Sequence, residues 1–553
     1  MSQTVAEVFA QTLKSAGIEQ VFGLPGGENA ELMDAIRREG IDFVLVRNES
    51  SAVFMADSTA RLTGKPGVCL TTLGPGAANA FAGVAHAWLD RAPILIVTAQ
   101  SISRLLDHHT HQVLDLQAIF HPVTKMTEEV TTNNVASVVE EALRLTTDGR
   151  PGPVHLGVSS EMAGQVATLQ EHVNNGTQSQ LAQQSEAIES VQLTITRGRP
   201  SPLDVAREQL AASRRPVVIC GLGMEPEGCY EALQEFAEAT NAPVIVTPKG
   251  KGAIHDDHPL AGGIIGLTRV DPAYEIIDDS DCIIAVGYDV VELVKPWNQP
   301  QPLIWVAPWA NEDPIIKAET ELIGPMGPTL QQLTDSEMTP DSSWGPERIE
   351  ALRQKLAQTT VPEPSQHRMN PQSVLQAIRT SVPRDTLVAT DVGSHKILTA
   401  LTWPALAHNR YMVSNGLSAM GFGLPAAAAA CRVLGQPTVC VTGDAGMGMV
   451  IGELNMVTQE ELPVIIVVMN DSALDLIRAA QNRIGKPTFG TEFPNPDFVA
   501  VAHAYGLAGY RVTSKEECAA AVQQAISTNR PTLIDAVIDP ASYPTTPGFV
   551  WGE

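Results

Sequence analysis

The chain has 553 residues, and at roughly 150 residues per domain this length predicts three or four compact units. Hydrophobic residues make up 44% of the chain and charged residues 18%, a balance that favours large cores and excludes a disordered protein. The formal net charge of −26 opposes binding to a nucleic-acid backbone or to an anionic membrane. We expect neither as a partner.

The cysteines and the N-terminal segment indicate a cytoplasmic protein. The 7 cysteines are scattered without a C-x-x-C spacing, which favours buried free thiols over a disulfide or zinc framework. The first residues, MSQTVAEVFAQTLKSAG, contain no basic stretch followed by an apolar core, and no apolar run approaches the ~18 residues of a membrane helix.

Short β-branched runs alternate with amphipathic stretches in three segments of the chain. The segments are 1–165, 201–335 and 371–553, and polar connections occupy 166–200 and 336–370. We predict three doubly wound α/β domains with mainly parallel sheets, because strands covered by helices on both faces read as continuous apolar runs. Runs of this kind lie at 68–72, 93–98, 216–220, 282–286, 438–442 and 463–469.

The most specific pattern lies in the third domain. A strand predicted at 439–442 ends before Gly443 and Asp444, a helix is predicted at 450–459, and a strand at 464–469 ends before Asn470 and Asp471. A right-handed βαβ unit brings both aspartates to the carboxyl edge of the sheet. Mg²⁺ prefers oxygen ligands and often shares them with phosphates, which also bind to free amides at a helix N-terminus. The pattern predicts a site for Mg²⁺ and a diphosphate.

This pattern, with the two aspartates 27 positions apart, resembles the thiamine-diphosphate motif of the acetolactate synthase and pyruvate decarboxylase family. A GDxG segment alone is more often an ordinary turn, but the spacing and the flanking strands favour the motif. The resemblance implies that Asp444, Asp471 and the backbone carbonyl of Ala473 bind Mg²⁺. It also implies that the diphosphate is bound by Gly443, Ala445 and Gly446.

The segment RNESSA, at 47–52, resembles the family segment that supplies the catalytic glutamate. The resemblance assigns to Glu49 a hydrogen bond with the aminopyrimidine ring, which promotes loss of the thiazolium C2 proton. The apolar neighbours of Glu49 disfavour ionisation and suit this role, whereas a surface glutamate at the start of a helix is the alternative. The family normally has histidine where this chain has Asn48, which leaves a proton-relay role of that residue open.

Four glycine-containing loops also resemble those of the family, where a missing Cβ lets the backbone approach a ligand. They are VFGLPGGEN at 21–29, TLGPGAAN at 72–79, DVGSHK at 391–396 and SNGLSAMG at 414–421. The resemblance places Asn79 at the pyrimidine ring, Met420 between the two cofactor rings and the Ser418 carbonyl at the 4′-amine. The other implied cofactor contacts are Pro25, Gly26, Gly393, Ser394 and His395.

On the substrate side, the chain is most similar to the flavin-free, acetolactate synthase-like branch of the family. The segment 111–125 resembles its substrate-side segment, where Gln112 would bond an intermediate and Lys125 would attract a 2-oxo-acid carboxylate. The alternative is an amphipathic helix with a solvated lysine at its end. The histidines at 108, 109 and 111 have no patterned acidic or cysteine partner, and we expect no metal there.

The central domain resembles the one that holds FAD in the biosynthetic synthases. After a strand predicted at 303–306, however, the chain reads APWAN instead of an acidic run, and we expect no FAD. The segment GLGM at 221–224 is only a fragment of a dinucleotide fingerprint and predicts a strand-to-helix turn.

The substrate pocket departs from the family pattern. If the helix after Asp471 keeps its register, Leu476, Ile477 and Ala480 share one face, and Ala480 replaces a bulky family residue and leaves room for a larger substrate. Gly27 and Glu28 complete the implied pocket. Glu28, Asp475 and Arg478 either bind a polar substrate tail or are solvated charges.

The resemblance implies an enzyme that uses thiamine diphosphate and Mg²⁺ to decarboxylate a 2-oxo acid and to join the product to an acceptor carbonyl. Two alternatives stay open, a simple 2-oxo-acid decarboxylase and a non-catalytic cofactor-binding protein. Since the catalytic glutamate and the diphosphate motif lie at opposite ends of the chain, the resemblance implies a homodimer or homotetramer with active sites between subunits.

Overall fold

The computed structural model describes residues 2–102, 104, 111–168, 200–268, 271–293, 297, 300–357, 363–365 and 367–543. The histidines at 108 and 109 and most of the predicted connection 166–200 lie outside these residues.

The N-terminal domain is built on six parallel strands, in the order β2-β1-β3-β4-β6-β5 when numbered along the chain. The strands are β1 (Gln20–Leu24), β2 (Asp42–Leu45), β3 (Gly67–Thr71), β4 (Ile94–Gln100), β5 (Thr127–Glu129) and β6 (Val154–Ser159). The helices are α1 (Val5–Ser15), α2 (Ala30–Arg38), α3 (Glu49–Thr63), α4 (Pro75–Leu89), α5 (Leu116–Phe120), α6 (Val135–Thr147) and α7 (Ser160–Ala163).

The central domain has a second parallel sheet, in the order β12-β11-β10-β7-β8-β9. Its strands are β7 (Pro216–Cys220), β8 (Val244–Val246), β9 (Ala261–Ile264), β10 (Cys282–Val286), β11 (Leu303–Ala307) and β12 (Thr320–Ile323). Its helices are α8 (Pro202–Ala212), α9 (Met224–Glu227), α10 (Tyr230–Thr240), α11 (Tyr274–Asp279), α12 (Met326–Thr334) and α13 (Pro346–Ala357).

Helix α13 lies inside the stretch 336–370, which the sequence suggested was only a polar connection. Ile349 and Leu352 of this helix are buried in the core of the central domain, and the preceding Trp344 donates its indole N–H to the carbonyl of Pro216 at 2.8 Å. This part of the predicted connection therefore completes the central domain.

The C-terminal domain has a third parallel sheet, in the order β14-β13-β15-β16-β18-β17. Its strands are β13 (Val388–Thr390), β14 (Tyr411–Val413), β15 (Thr438–Gly443), β16 (Val464–Asn470), β17 (Ala508–Val512) and β18 (Thr532–Val537). Its helices are α14 (Pro371–Ser381), α15 (Ser394–Thr402), α16 (Gly423–Leu434), α17 (Asp444–Met449), α18 (Glu453–Gln459), α19 (Asp475–Arg483), α20 (Phe498–Ala504) and α21 (Lys515–Thr528).

The three sheets confirm the predicted fold class. Strands β7, β10 and β11 are buried at every position, as expected for parallel strands that carry helices on both faces. The C-terminal domain therefore has the parallel sheet at whose carboxyl edge Asp444 and Asp471 were predicted to lie. None of the helices in the described part of the chain is both long enough and apolar enough to cross a membrane.

The first and last domains pack against each other through α3 and α16. Five consecutive alanines of α16, at 426–430, are fully buried, and such small side chains let two helices approach closely. At the same junction the rings of Phe54 and Phe422 meet edge to face at 5.6 Å. The backbone N–H of Arg47 donates to Glu453 of α18 at 3.0 Å, so the segment before Glu49 is also fixed to the C-terminal domain.

Candidate cofactor site

Two aspartates meet at the carboxyl edge of the C-terminal sheet. Strands β15 and β16 are paired in parallel, and Asp444 and Asp471 follow directly after them. The Asp444 carboxylate accepts the backbone N–H groups of Asp471 at 3.2 Å and of Ser472 at 2.6 Å. Its other oxygen accepts the N–H of Ala445 at 2.8 Å. The structure thus brings the two predicted metal ligands and the start of α17 together.

The charges at this edge suit a cation. Burial raises the pKa of Asp444. Burial, together with the negative charges of Asp444 and Asp475, raises the pKa of Asp471 to about 7. No group of three or more metal-ligating side chains occurs among the described residues. Two carboxylates leave coordination positions for phosphate oxygens and water, which is the usual arrangement for Mg²⁺.

The first turn of α15 presents an unpartnered histidine to the same edge. His395 is 5% exposed, and its Nε2 has no hydrogen-bond partner among the described atoms. Burial lowers the pKa of His395 to about 4, so the ring is neutral. A Cβ built on Gly393 would lie 2.6 Å from the Cε1 atom of this ring, so only glycine fits there. A buried ring nitrogen without a partner fits a ligand oxygen.

The loop 414–421 reaches the site from the neighbouring strand β14. Buried Asp391 accepts the Gly421 N–H at 2.9 Å and the Thr442 hydroxyl at 3.0 Å, which joins the loops that follow β13 and β14 to the end of β15. Ser418 has a left-handed φ of 52°, and its hydroxyl accepts a hydrogen bond from the Lys396 ammonium at 3.1 Å. Met420, two residues on, is half-buried.

A second group of predicted residues lies in the N-terminal domain. Glu49 is the first residue of α3 and only 4% exposed, and it accepts a hydrogen bond from the Asn79 amide at 3.1 Å. Asn79 itself is exposed, so the buried carboxylate lies directly beneath an open surface. Asn48 caps α3 by accepting the Ser50 N–H at 2.9 Å. The asparagine at this position therefore has a structural role.

The glycine loop at 25–28 lies on the same surface. The Gly26 N–H donates to Asn29 at 2.9 Å, and Glu28 accepts the Thr72 hydroxyl at 3.1 Å, which fixes this loop to the loop after β3. Pro25 is half-buried and Gly27 is exposed.

The two proposed substrate-side residues have different surroundings. Gln112 has a left-handed φ of 61° and packs against Gly74, the residue before α4, the helix that contains Asn79. The Lys125 ammonium instead donates to the carbonyls of Asp148 at 2.5 Å and Arg150 at 2.8 Å, and burial lowers its pKa. Lys125 therefore binds main-chain groups of its own domain.

No hydrogen bond or ion pair among the described residues joins the N-terminal group to the C-terminal group. Glu49, Asn79 and the loop 25–28 make their polar contacts within the N-terminal domain, and Asp444 and Asp471 make theirs within the C-terminal domain. We call these two groups the N-terminal and the C-terminal half-site.

Comparison with known proteins identifies the family. Three family models match the chain: "Thiamine pyrophosphate enzyme, N-terminal TPP binding domain" at residues 3–119, the corresponding central domain at 203–333 and the C-terminal TPP binding domain at 391–536. The chain is 31% identical to the acetolactate synthase isozyme 3 large subunit of Escherichia coli over 559 residues, 97% of this chain and 95% of the relative. The chain belongs to the thiamine pyrophosphate enzyme family. Acetolactate synthase of Bacillus subtilis is 28% identical over 97% of this chain and 93% of its own, and the probable acetolactate synthase large subunit of Methanococcus aeolicus is 28% identical over 97% and 92%.

The comparisons confirm the predicted resemblance and its cofactor class. The chain is an acetolactate synthase-like enzyme of the lyase and transferase type, with domains that bind thiamine pyrophosphate, the compound called thiamine diphosphate above. The unpartnered His395, the glycine beside it and the paired aspartates fit a diphosphate with its metal ion.

In this thiamine pyrophosphate enzyme, helix α19 carries the predicted pocket residues, and none of its residues is buried. Ile477 is 53% exposed, whereas Leu476 and Ala480 are half-buried. The Arg478 guanidinium donates to Asp475 at 2.8 Å and lies 4.0 Å from Asp471. Asp475 also accepts the Ser394 hydroxyl at 2.5 Å, which joins α19 to the first turn of α15, where His395 lies.

One residue beside the paired aspartates was not predicted from the sequence. Asn495, in the irregular segment before α20, donates its amide to the Asp444 carboxylate at 2.7 Å and to Asn470 at 2.9 Å. Its segment, EFPNPD, has no periodicity, so no local signal identifies it.

Proposed function

We propose that this enzyme uses thiamine diphosphate and Mg²⁺ to decarboxylate a 2-oxo acid and to join the remaining acyl carbon to an acceptor carbonyl. The observation that carries the proposal is the pair of buried carboxylates, Asp444 and Asp471, beside the unpartnered His395 ring at one sheet edge. The similarity to acetolactate synthases supports carboligation over the release of an aldehyde.

The chain's own residues bind and orient the cofactor. Asp444, Asp471 and the Ala473 carbonyl would hold the metal ion. Gly393, Ser394 and His395, with the backbone of Gly443, Ala445 and Gly446, would hold the diphosphate. Ser418 and Met420 would orient the aminopyrimidine ring from one side, with Pro25, Gly26 and Asn79 on the other. When bound, thiamine diphosphate supplies the electron sink that decarboxylation requires.

Glu49 has the surroundings of a group that holds and moves a proton. Its carboxylate is buried, receives one hydrogen bond from Asn79 and makes no ion pair among the described residues. A carboxyl group can exchange a proton with a ligand nitrogen that lies within hydrogen-bond reach. We assign Glu49 the proton exchange with the aminopyrimidine ring.

The substrate would lie between the two half-sites. Gly27, Glu28 and Gln112 would line it from the N-terminal domain, and Leu476, Ile477 and Ala480 from α19. The small side chain of Ala480 supports a substrate with a larger chain than pyruvate. Lys125 is the weakest of the assigned residues, because its ammonium already binds two backbone carbonyls.

We propose that the central domain binds no FAD. Glu292 is buried at the carboxyl edge of the central sheet, where its carboxylate accepts the N–H groups of Leu222 and Asp289, both at 3.0 Å. The backbone N–H of Leu222, just after β7, is at the position where an amide would bind a dinucleotide phosphate. Here the Glu292 side chain already accepts this N–H.

We propose a homodimer or homotetramer in which Glu49 of one chain serves the cofactor of another, because the two half-sites lie on different domains and share no polar contact among the described residues. Subunit complementation tests this arrangement with two inactive variants, Glu49→Gln and Asp444→Ala. In a mixed dimer one site has both residues intact, so random reassembly should restore about a quarter of the wild-type activity. If each chain forms its own complete site, the mixture stays inactive and the proposed arrangement is wrong.

The reaction is tested by supplying the purified protein with thiamine diphosphate, Mg²⁺ and a panel of 2-oxo acids that includes pyruvate and 2-oxoglutarate. We expect release of carbon dioxide and a coupled product, such as a 2-hydroxy-3-oxo acid, identified by its mass. An aldehyde as the sole product would replace the carboligase with a decarboxylase. Absence of turnover with any acid and acceptor would overturn both.

A further inference from the structure

Four charged or titratable side chains are buried where the three domains of the chain meet. His86 belongs to α4, Asp90 follows it, Asp57 belongs to α3, and Lys249 belongs to the central domain. His86 and Asp57 are 0% exposed, Asp90 is 2% and Lys249 is 5%. Burying charge is costly unless every group is paired, and none of these residues belongs to the half-sites described above.

The four side chains form one paired network. The two nitrogens of His86 lie 2.9 Å from Asp57 and 2.9 Å from Asp90, and the Lys249 ammonium lies 3.3 Å from Asp90. Burial disfavours the charged form of His86, but the two carboxylates outweigh it and raise its pKa. Burial disfavours ionised Asp90 as well, and Lys249 and His86 outweigh it and hold its pKa well below the usual value. Asp90 is therefore a buried anion of fixed orientation.

The Asp90 carboxylate binds backbone N–H groups of the C-terminal domain. It accepts the N–H groups of Asn415 at 3.2 Å and Gly416 at 2.6 Å. The Ser414 hydroxyl lies 3.0 Å from His86, so three successive residues contact the network. A Cβ built on Gly416 would lie 2.6 Å from the Leu89 carbonyl oxygen, which shows how closely this segment packs on the end of α4.

The segment 414–416 leads directly into the loop that carries Ser418 and Met420. Bonds that fix the rest of that loop include those from Lys396 to Ser418 and from Gly421 to Asp391. Both of these come from the C-terminal domain, whereas Asp90 belongs to the N-terminal domain and is itself fixed by the central domain. Charge-assisted hydrogen bonds to two consecutive N–H groups leave this end of the loop little freedom.

We propose that Asp90, oriented by His86 and Lys249, is a positioning residue for the cofactor loop. It fixes the loop before any ligand binds, so that Ser418 and Met420 are in place for the aminopyrimidine ring. The expected effect on cofactor binding rests on the proposed function of this loop. The expected effect on the mobility of the loop is independent of that function.

Hydrogen exchange of the full-length protein without cofactor tests the fixation directly. In Asp90→Asn, an amide replaces the anion, and we expect the peptide that covers 411–422 to exchange at least about tenfold faster than in the wild type. Asp271→Asn is the matched control, because Asp271 is also buried and accepts two backbone N–H groups, from Leu267 and Thr268, but within the central domain. Unchanged exchange at 411–422, or an equal increase in all three domains, would overturn the proposal.

His86→Gln provides a second variant if Asp90→Asn fails to fold, since glutamine pairs with only one of the two carboxylates. It should raise the exchange of the same peptide by a smaller factor, and no change would again count against the proposal. The dissociation constant of thiamine diphosphate should rise in both variants and not in Asp271→Asn. If the wild type itself binds no thiamine diphosphate, the proposed function fails, while the exchange of 411–422 still decides whether Asp90 fixes the loop.

Discussion

Replacing Glu49 with glutamine separates proton transfer from cofactor binding. Glutamine has almost the same volume as glutamate, so the buried position, 4% exposed, is still filled. Its amide oxygen can still accept the hydrogen bond from Asn79, now 3.1 Å long. Loss of one hydrogen bond to a ligand costs about 1 kcal/mol, so we expect cofactor affinity to fall by about tenfold at most.

The effect of Glu49→Gln on turnover should be much larger. A positioned acid or base contributes about 10²–10⁴ to a rate, which corresponds to about 3–5 kcal/mol of activation free energy. Titration of thiamine diphosphate gives the affinity, and steady-state kinetics at saturating cofactor give kcat. A kcat within about threefold of the wild-type value would refute the assignment of Glu49.

Glu129→Gln is the matched control for this experiment. Glu129 belongs to the same domain, is half-buried and accepts the side-chain amides of Gln100 at 3.4 Å and Gln117 at 3.3 Å. It belongs to neither half-site, and we expect its glutamine variant to keep a kcat close to that of the wild type. A similar loss in both variants would show that the effect on turnover is not specific to Glu49.

Three further predictions concern the metal, the pocket and the central domain. Asp444→Asn should weaken Mg²⁺-dependent cofactor binding by about tenfold or more in a titration, whereas the same change at exposed Asp497 should not; equal affinities would show that the metal site is misassigned. Ala480→Trp should shift the kcat/KM ratio toward smaller 2-oxo acids by about tenfold or more, and an unchanged ratio would remove α19 from the pocket. Burial raises the pKa of Glu292 from 4.5 to about 8, so the folded state binds the extra proton between these values and its stability falls as pH rises through them. In the wild type the free energy of unfolding should decline by up to about 1.4 kcal/mol per pH unit, and in Glu292→Gln this contribution should be absent. Melting temperatures measured across this pH range check the difference, and parallel pH dependences of the two proteins would contradict the raised pKa of Glu292.

Much of the fold and the metal motif could be predicted because their signals are local. The predicted runs 216–220 and 282–286 coincide with β7 and β10, since a fully buried strand is a continuous apolar run. The motif around Asp444 and Asp471 needs only one βαβ unit, so strand pairing follows from chain order.

The local pattern was insufficient where distant packing decides the structure. The sequence predicts one helix at 450–459, whereas the chain forms α17 directly after β15 and then α18. The glycines of DAGMGM weaken the helical signal there, and tertiary contacts such as that of Gly446 with Asp391 determine the outcome. Lys125 is a comparable case, because its charge suggested an anionic ligand and its ammonium binds two carbonyls of its own domain.

Hydrogen bonds between residues far apart in the chain could not be predicted from the sequence. Asp90 and Asn415 are 325 positions apart, and the residues between them give no sign that a carboxylate of one domain binds the backbone of another. Asn495 is likewise remote from Asp444, by 51 positions. Such pairs depend on how whole domains pack, which periodicity does not report.

The first and last sheets share one strand order, with the second strand at one edge and the fifth at the other. The segment after the second strand contains Glu49, the first residue of α3, in one domain and Ser418 and Met420 in the other. The segment after the third strand contains Asn79, in α4, in one domain and Asp444, the first residue of α17, in the other. The two domains thus use the same positions of one scaffold for the different roles proposed here. Two copies of this scaffold need differ only at these positions, without any new architecture, to supply different halves of the proposed site.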